Sequence, residues 1–337
     1  MKTIKKGNMF FLTLLTSVFL ISCSEDEIID VDPIPPSTNN ELSGKISKDL
    51  TLDPAVEYKL TGTFTVETGN TLTIPAGTHI MVERGTENYI VIEKGADIEV
   101  LGTQSNPVLM ASKDGNPGDW GGLVILGNAT TTAGVNATAE VGQLIYGGTD
   151  DSDDSGSINY LVIKGAGAQI NAESQYNGLS LYAVGSGTSI QNVAMLNGAD
   201  DGVEFFGGTV SATNLYLENN EDDAVDWTEG WNGSITNTYV LHTIDGFSTA
   251  VEADGINANP KIINFTAIST TGGTALQFKK ESGATITGLS LSGYDTTIDM
   301  KDGGTLTNVQ IGGEAANLNG NYAAEATVDI NSFDWVN

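Results

Sequence analysis

Two short acidic stretches contain the side chains best suited to metal binding or acid–base chemistry. Residues 199–205 are ADDGVEF and residues 221–227 are EDDAVDW, so a pair of aspartates recurs after 22 residues. Carboxylates in a flexible turn are oxygen ligands of the kind that Ca²⁺ prefers. Two carboxyls at a suitable separation also form the acid–base pair of a glycoside hydrolase. The choice between these chemistries depends on the elements that position the two stretches.

A repeat with a similar spacing runs through the second half of the chain. Each unit has a first short strand, and the leading apolar residues of these strands are Leu179, Val203, Val225, Val251, Leu276 and Ile298, at intervals of 24, 22, 26, 25 and 22. A second strand follows in each unit, with an asparagine in register at Asn192, Asn214, Asn237, Asn264 and Asn308 and with Gly288 in one unit. Short alternating strands and Gly-rich turns at a fixed period predict an all-β fold, a β-solenoid.

Alternation within the first strands separates inward from outward side chains. The inward column is predicted to contain Phe205, Trp227, Phe278 and Met300. The outward column is predicted to contain Ser180, Glu204, Asp226, Glu252, Gln277 and Asp299. Carboxylates in that column would stack about 4.8 Å apart per coil, and such close like charges repel unless a cation or water intervenes.

We therefore predict one acidic patch on adjacent coils. Its predicted members are Asp200, Asp201, Glu204, Asp222, Asp223 and Asp226. The predicted role is binding of Ca²⁺ as the cofactor, and the alternative is a solvated acidic face without a metal. Glycoside hydrolysis by Asp201, Asp223 and Asp226 is a further alternative. A lyase is disfavoured because Arg84, the single arginine, lies in an early coil, and Lys279 and Lys280 are expected to be solvated.

Three aromatic residues are candidates for stacking on sugar rings. Phe206 follows the inward Phe205, so alternation turns it outward. Trp231 lies in the turn TEGWNG, and Tyr239 lies in the strand that follows. A long repetitive face with such side chains suits a neutral glycan or a partner protein. For Trp231 the alternative is a side chain that caps the end of the core beneath a loop.

The start of the chain has the features of a secretory signal. Three lysines precede an apolar stretch at 9–21 that is too short to span a bilayer. Residues 20–23, Leu-Ile-Ser-Cys, resemble a bacterial lipobox, which implies removal of residues 1–22 and a lipid on Cys23, the only cysteine. Residues 24–27, SEDE, resemble the acidic tag that directs lipoproteins of Bacteroidota to the outer face of the outer membrane. Residues 23–42 are then predicted to be an acidic, Pro-rich tether.

The charge of the chain limits its partners. The three lysines of the signal leave 11 of the 14 basic residues against 43 acidic ones, so the mature chain has a net charge of −32. A surface of this sign repels nucleic acid, anionic lipid and anionic polysaccharide, and attracts cations. We therefore expect no nucleic-acid partner.

Four segments of the chain also resemble a known group of proteins. They are TLTIPAGTHI from Thr71, GDWGGLVILGNA from Gly118, SGSINYLVIKGAG from Ser155, and the run from Asn197 to Trp227. They are similar to surface lipoproteins of Bacteroidota that are right-handed parallel β-helices. The resemblance implies a single such helix over 43–337, with about 11–12 coils of 22–26 residues. The expected function is a non-catalytic binding or adhesion module at the cell surface, and the alternatives are the hydrolase above or a purely structural solenoid stabilised by Ca²⁺.

Overall fold

The computed structural model describes residues 40–336 except 173, 257–258 and 323–324. The predicted signal peptide at 1–22 and the lipidation site Cys23 lie outside the described residues, as does nearly all of the predicted tether. In the part that is described, no helix is long and apolar enough to cross a bilayer.

Nearly all of the regular structure is strand. The strands are β1 Glu41–Ile46, β2 Leu50–Thr51, β3 Glu57–Val66, β4 Thr71–Pro75, β5 His79–Val82, β6 Gly85–Ile92, β7 Asp97–Leu101, β8 Val108–Ser112, β9 Trp120–Leu126, β10 Ala137–Thr138, β11 Ile145–Tyr146, β12 Gly156–Lys164, β13 Leu179–Tyr182, β14 Ser189–Leu196, β15 Val203–Phe206, β16 Ser211–Glu218, β17 Asp223–Thr228, β18 Ser234–His242, β19 Thr249–Ala253, β20 Lys261–Ser269, β21 Thr274–Lys279, β22 Ala284–Ser292, β23 Thr296–Lys301, β24 Val309–Ile311 and β25 Glu314–Ala315. Two 3₁₀ helices cover Leu306–Asn308 and Ile330–Val336.

Parallel pairing between successive coils builds the fold. The first ladder contains β1, β3, β6, β9, β13, β15, β17, β19, β21 and β23 in that order. The second ladder contains β12, β14, β16, β18, β20, β22 and β24. This arrangement is a right-handed parallel β-helix and confirms the predicted fold class.

The predicted apolar column lies in the core of this helix. Register in the first ladder aligns Leu179, Val203, Val225, Val251, Leu276 and Ile298, and each is at most 4 % exposed. The second inward column, with Phe205, Trp227 and Phe278, is also fully buried. A strand offers every second side chain to one face, so the sequence period and the alternation together fix the core.

An asparagine ladder marks the bend in the second ladder. Asn192, Asn214, Asn237 and Asn264 have φ between 53° and 59°, the left-handed region that asparagine tolerates better than most residues. Each Nδ2 donates to the Oδ1 of the asparagine one coil earlier, over 2.7–3.1 Å, beginning at Asn159. The side chains thus satisfy one another while the backbone turns.

The far end of this ladder differs from the prediction. Gly288 occupies the expected position beside Asn264, with φ +69°, and a Cβ there would lie 2.6 Å from the Asn264 Oδ1. Asn308 does not follow, because Ala284 pairs with Val309 and places Asn308 in a 3₁₀ turn. Its Nδ2 donates instead to the carbonyl of Glu281.

Two segments leave the path of the coils. Residues 127–155 contain the antiparallel hairpin of β10 and β11 and pack on the outside of the first ladder, around Tyr182 and Phe206. Residues 325–336 pack on the outside of the second ladder, around Tyr216 and Tyr239. These two segments use residues that would otherwise form coils. In the described residues the first ladder therefore has ten strands, slightly fewer than the predicted 11–12 coils.

The asparagine ladder gives a prediction about stability. Asn214→Ala removes the two hydrogen bonds that the Asn214 amide makes in the ladder. It also places an alanine at φ +59°, a left-handed conformation that alanine tolerates poorly. We expect a loss of about 2 kcal/mol or more in the free energy of unfolding, measured by urea titration.

Asn214→Gly keeps the backbone conformation accessible and should lose about 1 kcal/mol less than the alanine variant. Gln191→Ala, at an exposed site on the neighbouring β14, is the control and should change little. Equal stability of Asn214→Ala and the wild type would show that the ladder does not stabilise the bend.

Candidate functional site

The outward column of the first ladder carries the acidic residues, as predicted. Register aligns Ser180, Glu204, Asp226, Glu252, Gln277 and Asp299 on successive strands from β13 to β23. Their inward neighbours fill the core, so the column is anchored on both sides by buried strand residues. The column is therefore held rigidly at the spacing of the coils.

Glu204, Asp226 and Glu252 of this column line a cleft in the outer surface, which we call the acidic cleft. Its cavity volume is ≈ 290 Å³. Its carboxylates are Glu140, Asp200, Asp201, Glu204, Asp222, Asp223, Asp226 and Glu252, and Ala172, Ser174 and Gln175 form the rest of its wall. All six residues predicted for the acidic patch are among them. The structure adds Glu252 from the predicted column and Glu140 from the segment 127–155.

The inner aspartate of each pair is buried. Asp201 and Asp223 are 5 % and 3 % exposed, whereas Asp222 is exposed at the cleft mouth. The backbone N–H of Asp223 donates to Asp201 Oδ1 over 2.9 Å, and the Thr249 hydroxyl donates to Asp223 Oδ1 over 2.6 Å. The two turns are thus tied together through carboxylates that also face the cleft.

The carboxylate oxygens lie close enough to share one ion. Three groups each offer oxygens that all lie within 4.8 Å of one another. They are Asp200 with Asp201 and Asp222, Asp201 with Glu204 and Asp226, and Asp223 with Asp226 and Glu252. Asp201 and Asp226 each belong to two of the groups. The groups therefore form one continuous row of oxygen ligands across three coils.

Burial, followed by crowding, raises the pKa values of several of these carboxyls. Burial and then the charge of Asp222 raise the pKa of Asp200 to about 8, and burial and then the charge of Glu252 raise the pKa of Asp226 to about 7. Burial, followed by repulsion from neighbouring carboxylates, also raises the pKa values of Asp201, Glu204 and Asp223 well above normal. Near neutral pH the row can thus bind protons or a cation, and either one reduces the repulsion between its carboxylates.

An asparagine and a lysine side chain partner the two ends of the row. At one end the Asn177 amide donates to Glu204 Oε2 over 2.7 Å. At the other end Lys279 forms an ion pair with Glu252, and Lys280 pairs with Asp254. The expectation that both lysines are solvated therefore holds for the exposed Lys280, although it forms an ion pair, and is wrong for Lys279, whose ammonium is partly buried against Glu252.

The middle of the row contains an oxygen without a partner. Asp226 Oδ1 has no exposed surface and no hydrogen-bond donor, and the Oδ1 of Asn177, a residue 2 % exposed, is in the same situation. A buried acceptor without a donor costs free energy, so such atoms are suited to a cation or to a proton. Carboxylate and amide oxygens are also the ligands of a hard cation such as Ca²⁺. The residues present therefore fit the predicted cation.

Glu140 is the member of the cleft that the sequence did not indicate. It lies at the rim, where the Tyr182 hydroxyl donates to Glu140 Oε1 over 3.4 Å. The segment that carries it is fixed by Glu229, which accepts from Tyr146 over 2.8 Å and from Thr131 over 2.6 Å. No repeat spacing relates Glu140 to the acidic column, so only the docking of the segment brings it there.

The three predicted ligand-binding aromatics are buried, so the prediction that they are exposed is wrong. Phe206 is 7 % exposed and stacks on Tyr182 at 4.0 Å, and the segment 127–155 covers both rings. Alternation does turn Phe206 out of the coil, but an outer segment encloses it. An exposed sugar-stacking platform is therefore absent at this position.

The other two aromatics are buried by different contacts. Trp231 is fully buried, stacks on Phe205 at 4.1 Å and donates its Nε1–H to the Val210 carbonyl over 3.0 Å. These contacts agree with the alternative of a core-capping side chain. Tyr239 is 6 % exposed because Phe333 and the rest of the C-terminal segment pack over it.

Comparison with known proteins gives the family. The family described as "Pectate-lyase like beta helix domain" matches residues 44–331. The chain therefore belongs to the pectate-lyase-like β-helix family, in agreement with the parallel ladders and the stacked core. No curated protein and no solved structure matches the chain.

The raised pKa values predict how stability depends on pH. A carboxyl whose pKa is higher in the folded than in the unfolded protein stabilises the fold at low pH, and this contribution is lost as pH rises through the folded value. With Asp200 at about 8 and Asp226 at about 7, the free energy of unfolding should fall between pH 5 and 8 in chelator-treated protein. The free energy of unfolding falls by about 1.4 kcal/mol per pH unit for each proton that the protein releases on unfolding.

Urea titrations at several pH values measure this slope, and Asp226→Asn should make it shallower. Glu221→Gln is the matched control, because Glu221 is exposed in the same turn but does not line the cleft. A free energy of unfolding that rises steadily from pH 5 to 8 would contradict the proton uptake inferred for the row.

Proposed function

We propose that this protein is a non-catalytic, cation-binding β-helix of the bacterial cell surface, held at the outer membrane by a lipid on Cys23. The observation that carries the proposal is the row of three overlapping carboxylate groups with oxygens within 4.8 Å. A divalent cation there neutralises charges that the fold forces together, and Ca²⁺ accepts six to eight oxygens in irregular geometry. The acidic cleft is then a site where cation binding stabilises the three coils that contain β15, β17 and β19.

Melting temperature tests cation binding. Millimolar Ca²⁺ should raise the melting temperature more than NaCl of equal ionic strength, because the ion binds the folded state and not the separated carboxylates. A free Ca²⁺ concentration of 100 times the dissociation constant adds about 2.7 kcal/mol to the free energy of unfolding. Asp226→Asn should reduce the Ca²⁺-specific increase most, since Asp226 belongs to two groups. Asp223→Asn should reduce it as well.

Glu221→Gln provides the control for a change of one charge near the cleft and should keep the full Ca²⁺ effect. Equal shifts with Ca²⁺ and Na⁺ would leave the row as a proton-sharing, solvated acidic face, and the cation-binding proposal would be wrong.

A glycoside hydrolase is the second candidate, and the raised pKa of Asp226 favours it. A carboxyl with a pKa of about 7 holds a proton that a general acid can donate near neutral pH. Asp201 and Asp223 are the other carboxyls predicted for this role. Release of reducing ends from a neutral glycan by the wild type, lost in Asp226→Asn and kept in Glu221→Gln, would replace the non-catalytic proposal with this one.

Membrane attachment has its own test. Cys23 is the only cysteine, so Cys23→Ala removes the only thiol that a lipid could occupy. The variant is expected either to leave the membrane fraction or to accumulate as an unprocessed precursor. Fractionation of cells, with immunoblotting of each fraction, measures this. A variant that fractionates like the wild type would show that the lipobox interpretation is wrong.

A further inference from the structure

A second groove lies on the early coils, away from the acidic cleft. It is lined by residues of β3, β5 and β8 and of the turns after β5 and β8. Its volume is ≈ 600 Å³, within the range of ordinary small-molecule sites. The partly buried Met81 gives it an apolar side chain, whereas Val82 also borders the groove but belongs to the core of the coil. The groove is therefore large enough for a compact ligand with an apolar portion.

A buried carboxylate orients the single arginine at the wall of this groove. Arg84 Nε lies 3.5 Å from Asp119 Oδ1, while the arginine side chain is 85 % exposed. Asp119 is 4 % exposed, and its Oδ2 accepts from the Ser112 hydroxyl over 2.8 Å and from the Asn116 N–H over 3.1 Å. The Arg84 guanidinium thus forms an ion pair on one side with a carboxylate that is itself held by two hydrogen bonds. Its outer N–H groups remain available to a planar anion.

Two lysines beside this arginine are unpaired. Among the described residues, Lys59 and Lys113 have no acidic partner within 4.0 Å, in contrast to Lys45, Lys279, Lys280 and Lys301, which form ion pairs. Both lysines line the groove together with Arg84. They can supply charge to an anion that Arg84 orients.

Acidic side chains on the same rim restrict the ligand further. Glu57, Glu83 and Asp114 also line the groove. They repel a polymer that carries a negative charge on every unit, and they tolerate or attract a positive group. The combination selects one carboxylate, an apolar portion and a neutral or positive remainder.

We propose that this groove binds the carboxylate of an α-amino acid or of a peptide C-terminus with an aliphatic side chain. Arg84 holds the carboxylate through its outer N–H groups, with Lys59 and Lys113 beside it. The aliphatic side chain packs on Met81. The ammonium of a free amino acid, or the preceding amide of a peptide, faces the acidic rim.

Calorimetric titration of the full chain with small probes tests this proposal. N-acetyl-leucine should bind saturably, and N-acetyl-leucinamide, which lacks the carboxylate, should not. Arg84→Lys should weaken binding about ten-fold or more, because the lysine cannot form the planar pair. Lys113→Gln should weaken it less. Lys261→Gln, an exposed and unpaired lysine elsewhere on the helix, is the control and should bind normally.

Two more probes distinguish the source of the carboxylate. Tighter binding of leucine than of glycyl-leucine indicates a free amino acid, and the reverse order indicates a peptide C-terminus. Binding of N-acetyl-leucinamide or leucinamide as tight as that of N-acetyl-leucine would overturn the proposal. So would an unchanged affinity in Arg84→Lys, or the absence of saturable binding by every probe.

Discussion

In-register parallel stacking places each residue of a coil directly over its counterpart in the next coil, at the strand spacing of about 4.8 Å. This constraint favours columns of like residues when the residues attract or pack, as in the apolar column that begins at Leu179. It also suits asparagine at the bend, because one amide donates to the next without interruption. The same constraint acts on carboxylates, where stacking brings repulsion in place of attraction.

The acidic cleft shows how the fold accommodates that repulsion. Asp201 and Asp223 accept hydrogen bonds from a backbone N–H and a hydroxyl, so part of their charge is satisfied inside the protein. Asn177 and Lys279 partner the two ends of the row. Asp226, in the middle, has neither kind of partner for its Oδ1. The centre of the row is therefore where a bound proton or cation lowers the free energy most.

Outer segments decide which parts of the helix surface remain accessible. Stacked rings of Tyr182 and Phe206 lie under the segment 127–155, and Tyr216 and Tyr239 lie under the C-terminal segment. Both aromatic faces would be exposed on a bare β-helix, and covering them removes apolar surface from water. The acidic cleft stays open because the covering segment contributes only Glu140 at its rim. The accessible functional groups of the helix therefore lie mainly in polar grooves.

The sequence by itself determined the coil, its core columns and the acidic column, because a residue's place in a coil follows from local period and alternation. Glu204 and Asp226 were assigned to one outward column on this basis, and the register confirms it. Only the tertiary structure decided what covers the outside of the coil. Tyr146 meets Glu229 across 83 residues of sequence, and no repeat relates these positions. The presence of Glu140 in the cleft and the burial of Phe206 and Tyr239 depend on such non-periodic docking, which local pattern does not encode.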